Sequence, residues 1–122
     1  MTDNRPMTQD PRDFQPLPPH DFQILLALAE GPKHAYGLAQ AGDDARDGTV
    51  RLELGSLYRV LARLITTGLI ADVVRRPGEG QEAKRRYYRL TPLGRRVAEA
   101  ETARLQAIVR LARRRWLAPA KS

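Results

Sequence analysis

The chain has 122 residues and carries 21 Lys and Arg against 14 Asp and Glu, a net charge of +7. That length suffices for one domain with a modest core, and the lack of any Cys excludes a disulfide framework, a thiolate nucleophile and Cys-ligated zinc. The longest apolar run, Ile24 to Ala29, is far too short to span a membrane and no secretory leader opens the chain, so a soluble cytoplasmic protein with an anionic partner is expected.

Residues 1–18 hold four of the nine Pro among scattered polar residues, with no period. They read as a disordered N-terminal arm. From Pro19 to Glu30 a helix is predicted, opened by Pro in its first turn and closed by Gly31-Pro32. Phe22, Leu25, Leu26 and Ala29 would share one face, widened by Ile24 and Leu28. A second helix would run from His34 to Ala41, with Tyr36, Leu38 and Ala39 packing and Gly42 as its stop. His34, at its start, is a capping or phosphate-facing residue. His20 and His34 are the only histidines and have no partner at metal-site spacing, so neither a metal nor a cofactor is expected.

Asp43 to Gly48 is turn-like, and Thr49 to Leu54 alternates as a short strand would. Leu54 to Ile70 is the clearest helical stretch. Gly55 and Ser56 mark its start, Thr66-Thr67-Gly68 its end, and Leu57, Val60, Leu61, Leu64 and Ile65 form one apolar stripe. Tyr58, Arg59, Ala62 and Arg63 fall on the other side. Two strand-like runs follow, Leu69 to Arg76 and Arg85 to Leu90, around Pro77-Gly78-Glu79-Gly80, and predict an antiparallel hairpin. Tyr87 and Tyr88 alternate across the second strand, so one of them belongs to the core. Thr91-Pro92 is a strong helix start, with no breaker before Pro119. A helix from Pro92 to Leu117 would be about 39 Å long, longer than the domain beneath it. Its distal stripe of Leu105, Ile108, Val109, Ala112 and Trp116 is costly to leave in water. A second copy of the chain, paired helix to helix, would cover it. The alternative is a kinked helix folded back on its own domain.

Charge is unevenly placed. Residues 1–74 carry 7 basic and 10 acidic side chains, whereas residues 75–115 carry 13 and 4. The fold class is therefore mainly α with a small β-hairpin: a winged helix-turn-helix over residues 19–91 and a long dimerisation helix over 92–118. A helix fits the major groove of double-stranded DNA, which would bring Tyr58, Arg59 and Arg63 to base edges and phosphates. Arg75, Arg76, Lys84, Arg85 and Arg86 would lie along the adjacent backbone. Phosphate contacts would then set affinity and the helix would set sequence preference. No catalytic site is legible: Ser56 has no His-Asp partner, Glu53 no second carboxylate, and no Gly cluster leads from strand to helix.

The segments ILLALAEGPKHAYGLAQ (24–40), LGSLYRVLARLITTGLI (54–70) and KRRYYRLTPLGRRVAEAE (84–101) resemble successive signatures of the PadR-like transcriptional regulators. The likeness runs in register over roughly Leu17 to Trp116. Gly-Ser-Leu-Tyr and Tyr-Tyr-x-Leu-Thr-x-x-Gly are its most specific pieces. It implies a winged-helix homodimer, usually a repressor that binds a palindromic operator and is released by a small molecule or signal. The single long C-terminal helix resembles the smaller branch of the family. By the likeness Ser56, Tyr58 and Arg59 face DNA, Lys84 to Arg86 touch phosphate, and His34 and Tyr36 lie where contact with the DNA backbone is expected. Ala35 stands where the family usually has Gly.

Competing readings accompany these assignments. Tyr58 would otherwise cover the core edge. Arg113-Arg114-Arg115 complements a helix C-terminus or forms a nucleic-acid patch, the first being favoured. Trp116 packs in the subunit interface or lines a small-molecule effector pocket there. The alternative function from another class is a winged-helix protein-interaction module or antirepressor that docks on an acidic protein surface without binding DNA.

Overall fold

The computed structural model describes residues 10–44, 53–73 and 86–115. Four helices carry most of it: α1 (Pro19–Leu28), α2 (Ala35–Asp44), α3 (Leu54–Thr66) and α4 (Pro92–Arg114). Three short strands, β1 (Lys33–His34), β2 (Ile70–Val73) and β3 (Tyr87–Leu90), form one antiparallel sheet in the order β1-β3-β2. Ile70 pairs with Leu90 and Val73 with Tyr87, as a hairpin requires. On the other edge of β3, Lys33 pairs with Tyr88 and His34 with Tyr87. The sequence placed His34 in the second helix; it instead ends a two-residue strand, too short for any alternation to announce.

α1 starts at Pro19 and exhausts its hydrogen bonds at Gly31, whose φ of 136° only glycine adopts comfortably. Its buried face is Asp21, Ile24, Leu25 and Leu28; Leu25, Ile24 and Leu28 are buried as expected, whereas Leu26 and Ala29 of the expected face are not. Leu26 is exposed and Phe22 is partly buried. The face is rotated because Asp21, a carboxylate, occupies a core position, which broke the apolar count. In α2 Ala35 and Leu38 are buried, whereas Tyr36 is 60% exposed and Gly42 does not end the helix. The expected strand at Thr49 to Leu54 lies mostly outside the described residues, and Leu54 itself opens α3.

α3 buries Leu57, Val60, Leu61 and Leu64, with Ile65 partly buried behind them. Its N-cap is Glu53, without a side-chain cap, so Gly55 and Ser56 lie within the first turn rather than capping it. At the other end Gly68 takes φ 84°. There the Gly68 and Leu69 N–H groups donate to the Ile65 and Leu64 carbonyls, each over 3.0 Å, a Schellman closure that turns the chain directly into β2.

The passage from β3 to α4 is tightly built. The Thr91 hydroxyl accepts from the Gly94 N–H at 2.9 Å and lies 2.7 Å from the Gly68 carbonyl oxygen, to which it donates; the Thr91 N–H donates to Leu69 O at 3.1 Å. A Cβ on Gly94 would stand 2.0 Å from that same Leu69 oxygen and 2.9 Å from Leu90 Cδ1. The glycine is needed because α4 crosses the α3–β2 corner with no room for a methyl group.

Residues 10–18 are not a disordered arm. Pro11–Phe14 form a 3₁₀ turn capped by Asp10, Leu17 enters the core, and Gln15 donates its side-chain amide to the Ala100 carbonyl at 3.1 Å. The Leu17 N–H donates to Glu101 Oε2 at 3.3 Å. The segment is a strap across α4; residues 1–9 lie outside the described set.

Candidate nucleic-acid interface

The core stripe of α3 fixes which way its other side faces. With Leu57, Val60, Leu61 and Leu64 inward, Tyr58 stands 52% exposed and Arg59 and Ala62 are exposed. Ser56, on the same outer side, accepts from the Arg59 guanidinium at 3.1 Å. That bond restrains a long cation and leaves most of its planar donor fork facing outward.

Arg63 is placed differently. Its guanidinium binds Asp21 of α1 through two hydrogen bonds, at 2.5 and 3.4 Å. The Asp21 side chain is only 6% exposed and that of Arg63 51%. Arg63 therefore neutralises a buried carboxylate and ties α3 to α1, a structural task the sequence reading did not give it. Asp21 was missed for the same reason: the two residues are 42 positions apart, and only the fold makes them partners.

β3 joins the helices to the wing. Tyr88 points into the core at 4% exposure, and burial pushes its phenol above the ordinary value of 10.0. Asp72 of β2 stands directly opposite Tyr88 in the register. Arg86 also pairs with Asp72 of β2 at 3.4 Å, their side chains 67% and 39% exposed. Lys84 and Arg85, and with them the wing loop, lie outside the described residues.

On the opposite edge of β3, His34 caps α2: its Nδ1 accepts from the Gly37 N–H at 3.0 Å. The imidazole stacks at 6.3 Å on Tyr36 and meets Tyr87 edge-on at 5.2 Å. His34 and Tyr36 thus form an aromatic cluster with Tyr87, linking the first turn of α2 to the wing.

α4 changes character along its length. Gly94, Val97, Ala98 and Glu101 are buried, and no described residue beyond Glu101 is. Leu105 and Ala112 are half-buried, while Ile108, Val109 and Leu111 are 40–47% exposed. Phe22, Leu105 and Val109, with Thr102, Gln106 and Arg110, line an open groove of about 370 Å³ between α1 and α4. The helix does not fold back, and Trp116 lies outside the described residues. Glu101, also missed from sequence, is 1% exposed. Arg104 binds it through hydrogen bonds of 2.6 and 2.9 Å, which with the Leu17 N–H hold its carboxyl below the ordinary 4.5 against the opposing effect of burial.

Among the described residues no helix is long and apolar enough to cross a membrane, and no group of three or more His, Cys, Asp or Glu is placed to hold a metal.

Residues 24–100 match the model of the transcriptional regulator PadR-like family. Over 78 residues, 64% of this chain, the sequence is 40% identical to an uncharacterised 37.1 kDa protein of transposon TN4556 from Streptomyces fradiae. The match spans about a fifth (20%) of that curated relative's length. Among solved structures, a PadR family transcription regulator from Clostridium difficile superposes with a TM-score of 0.69 at 21% identity, over 78% of this chain and 95% of that one. A transcriptional regulator from Clostridium thermocellum gives 0.65 at 24%, over 84% and 90%. Bacillus subtilis PadR, solved in complex with operator DNA, gives 0.61 at 17%, over 88% and 50%. At these identities the structural likeness speaks for the fold.

Proposed function

Because this chain belongs to the PadR-like family of transcriptional regulators, we propose that it binds double-stranded DNA sequence-specifically, in the cytoplasm, as a homodimer on a palindromic operator. The family is one of regulators, not of enzymes. The observation that carries the proposal is the outward face of α3, where Tyr58 and the Ser56-restrained Arg59 stand exposed opposite a fully buried stripe. In this reading α3 enters the major groove and Arg59 reads a base edge. Lys84, Arg85 and Arg86 track phosphates from the wing, and His34 and Tyr36 approach the backbone at the start of α2. Arg63 meets DNA only as half of its ion pair with Asp21.

Homodimerisation is supported by the exposed stripe of Ile108 and Val109 on a helix of 23 residues, about 34 Å long. With Leu105, Ala112 and Trp116 it supplies the self-complementary surface that a two-fold dimer needs. Repression, and release by a small molecule or signal, follow the usual behaviour of the family; Trp116 packs between the paired helices or lines an effector pocket there.

Fluorescence anisotropy with duplex DNA from around the gene tests the reading. Affinity should fall steeply with salt, by a log–log slope of about −0.9 for each phosphate neutralised. Arg59→Ala should relax sequence preference, whereas Lys84→Ala should weaken all sequences alike and reduce the slope by about one. Failure to retain any duplex at low salt would refute DNA binding.

A further inference from the structure

At the N-terminal end of α3 two large apolar side chains stand side by side in solvent. Leu54 opens the helix at 49% exposure and Tyr58, one turn later on the same edge, is 52% exposed. The helix has ample core for its apolar residues: Leu57, Leu61 and Leu64 are at most 2% exposed. Leu54 is thus an apolar group that the described residues of the domain leave largely uncovered. Between the two lies Gly55. A Cβ there would meet nothing within 4 Å, and its backbone has no positive φ. Among the described residues neither crowding nor strain calls for glycine at this point, although glycine is unfavourable in a helix.

We propose that Leu54 reads the 5-methyl group of a thymine in each half-site, with Gly55 allowing the helix backbone to close on the groove floor and Tyr58 walling the contact. This inference rests on the DNA-binding reading above. The first residues of a recognition helix are those that reach base edges, and Leu54 is the first residue of α3. A thymine methyl is the apolar feature of the major groove. The same helix carries Arg59, whose charge draws the polyanion against this edge rather than an apolar protein surface. Leu54 therefore sets sequence preference by apolar contact, as Arg59 does by hydrogen bonding.

The test begins by selecting sites from a random duplex pool with the full-length protein. Each thymine of the selected site is then replaced singly by deoxyuridine, which removes only the methyl, and binding is measured for the wild type, Leu54→Ala and Gly55→Ala. For the wild type, one thymine per half-site should lose about fourfold in affinity, the worth of one buried methyl group. That penalty should vanish in Leu54→Ala, while the Arg59-dependent preferences remain. Gly55→Ala should weaken the selected site severalfold without lowering the thermal midpoint, which separates a docking effect from a folding one. Deoxyuridine effects all within twofold, a selected half-site without thymine, or a penalty that persists in Leu54→Ala would each overturn the assignment and leave DNA binding intact. No enriched sequence at all would overturn specific DNA binding, and the assignment with it.

Discussion

Gly94→Ala is the substitution for which the structure gives the sharpest expectation. On an uncrowded helix it would stabilise by about 1 kcal/mol through propensity alone. Here the new Cβ would lie 2.0 Å from Leu69 O, whereas ordinary contact begins at 3.4 Å. α4 must therefore recede by more than 1 Å. That movement pulls apart the bonds from the Thr91 N–H to Leu69 O, at 3.1 Å, and from the Thr91 hydroxyl to Gly68 O, at 2.7 Å, each worth about 1 kcal/mol. Overpacking adds a further cost of about 1–3 kcal/mol. Set against the propensity gain, the net loss is about 2–4 kcal/mol, or a fall in midpoint of roughly 10–25 °C for a domain of this size. The measurement is thermal unfolding by circular dichroism at matched protein concentration. Gly37→Ala is the control, because its nearest contacts, at 3.6 and 3.7 Å from His34 ring atoms, are ordinary, so its midpoint should hold or rise. A Gly94→Ala midpoint within 2 °C of the wild type would refute the crossing as described.

Glu101 should impose acid sensitivity. Its folded pKa lies below the ordinary 4.5, chiefly through Arg104, so its stabilisation is full above that value and is lost as pH falls through the lower folded value. Glu101→Gln should flatten the stability curve below pH 4.5, and an unchanged acid limb would contradict this. Arg63→Ala leaves the Asp21 carboxylate buried without its cation and should cost about 2 kcal/mol in urea unfolding, the half-exposed guanidinium tempering a fully buried pair's larger penalty. Adding Asp21→Leu to Arg63→Ala should restore most of that loss, and additive losses would show that the pair is not coupled. Val109→Glu, on the exposed stripe, should halve the mass found by light scattering at micromolar concentration while leaving the midpoint of the monomer near normal; an unchanged dimer would place the interface elsewhere.

The elements legible in the sequence are those whose signal is local. The α3 stripe, the Gly68 closure and the Thr91-Pro92 start each lie within a few residues of what they control, and each was read in place. What escaped depends on partners far along the chain. Asp21 and Glu101 look like surface acids until Arg63, 42 positions later, and the strap around Leu17, 84 positions earlier, are brought against them. Two buried carboxylates therefore disguised the faces of α1 and α4. The strap was hidden by its composition, because Pro-rich polar sequence lacks a period whether or not it docks. At the interface, position alone does not separate Arg59 from Arg63. One is restrained by a hydroxyl on its own helix and the other is consumed by an acid on another helix, a difference that appears only in three dimensions.

The joint at Thr91 and Gly94 fuses the root of α4 to the corner where α3 turns into the sheet, and the strap clamps the helix again at Ala100 and Glu101. From there to Arg115 no described residue is buried, so packing within the domain restrains this part of the helix far less than its root. Over the 13 residues from Thr102 to Arg114, about 20 Å of helix, a tilt of about 5° about that clamp moves the far end by about 2 Å. The root of α4 and the C-terminal end of α3 meet at the Gly68 and Leu69 carbonyls, which both accept from Thr91.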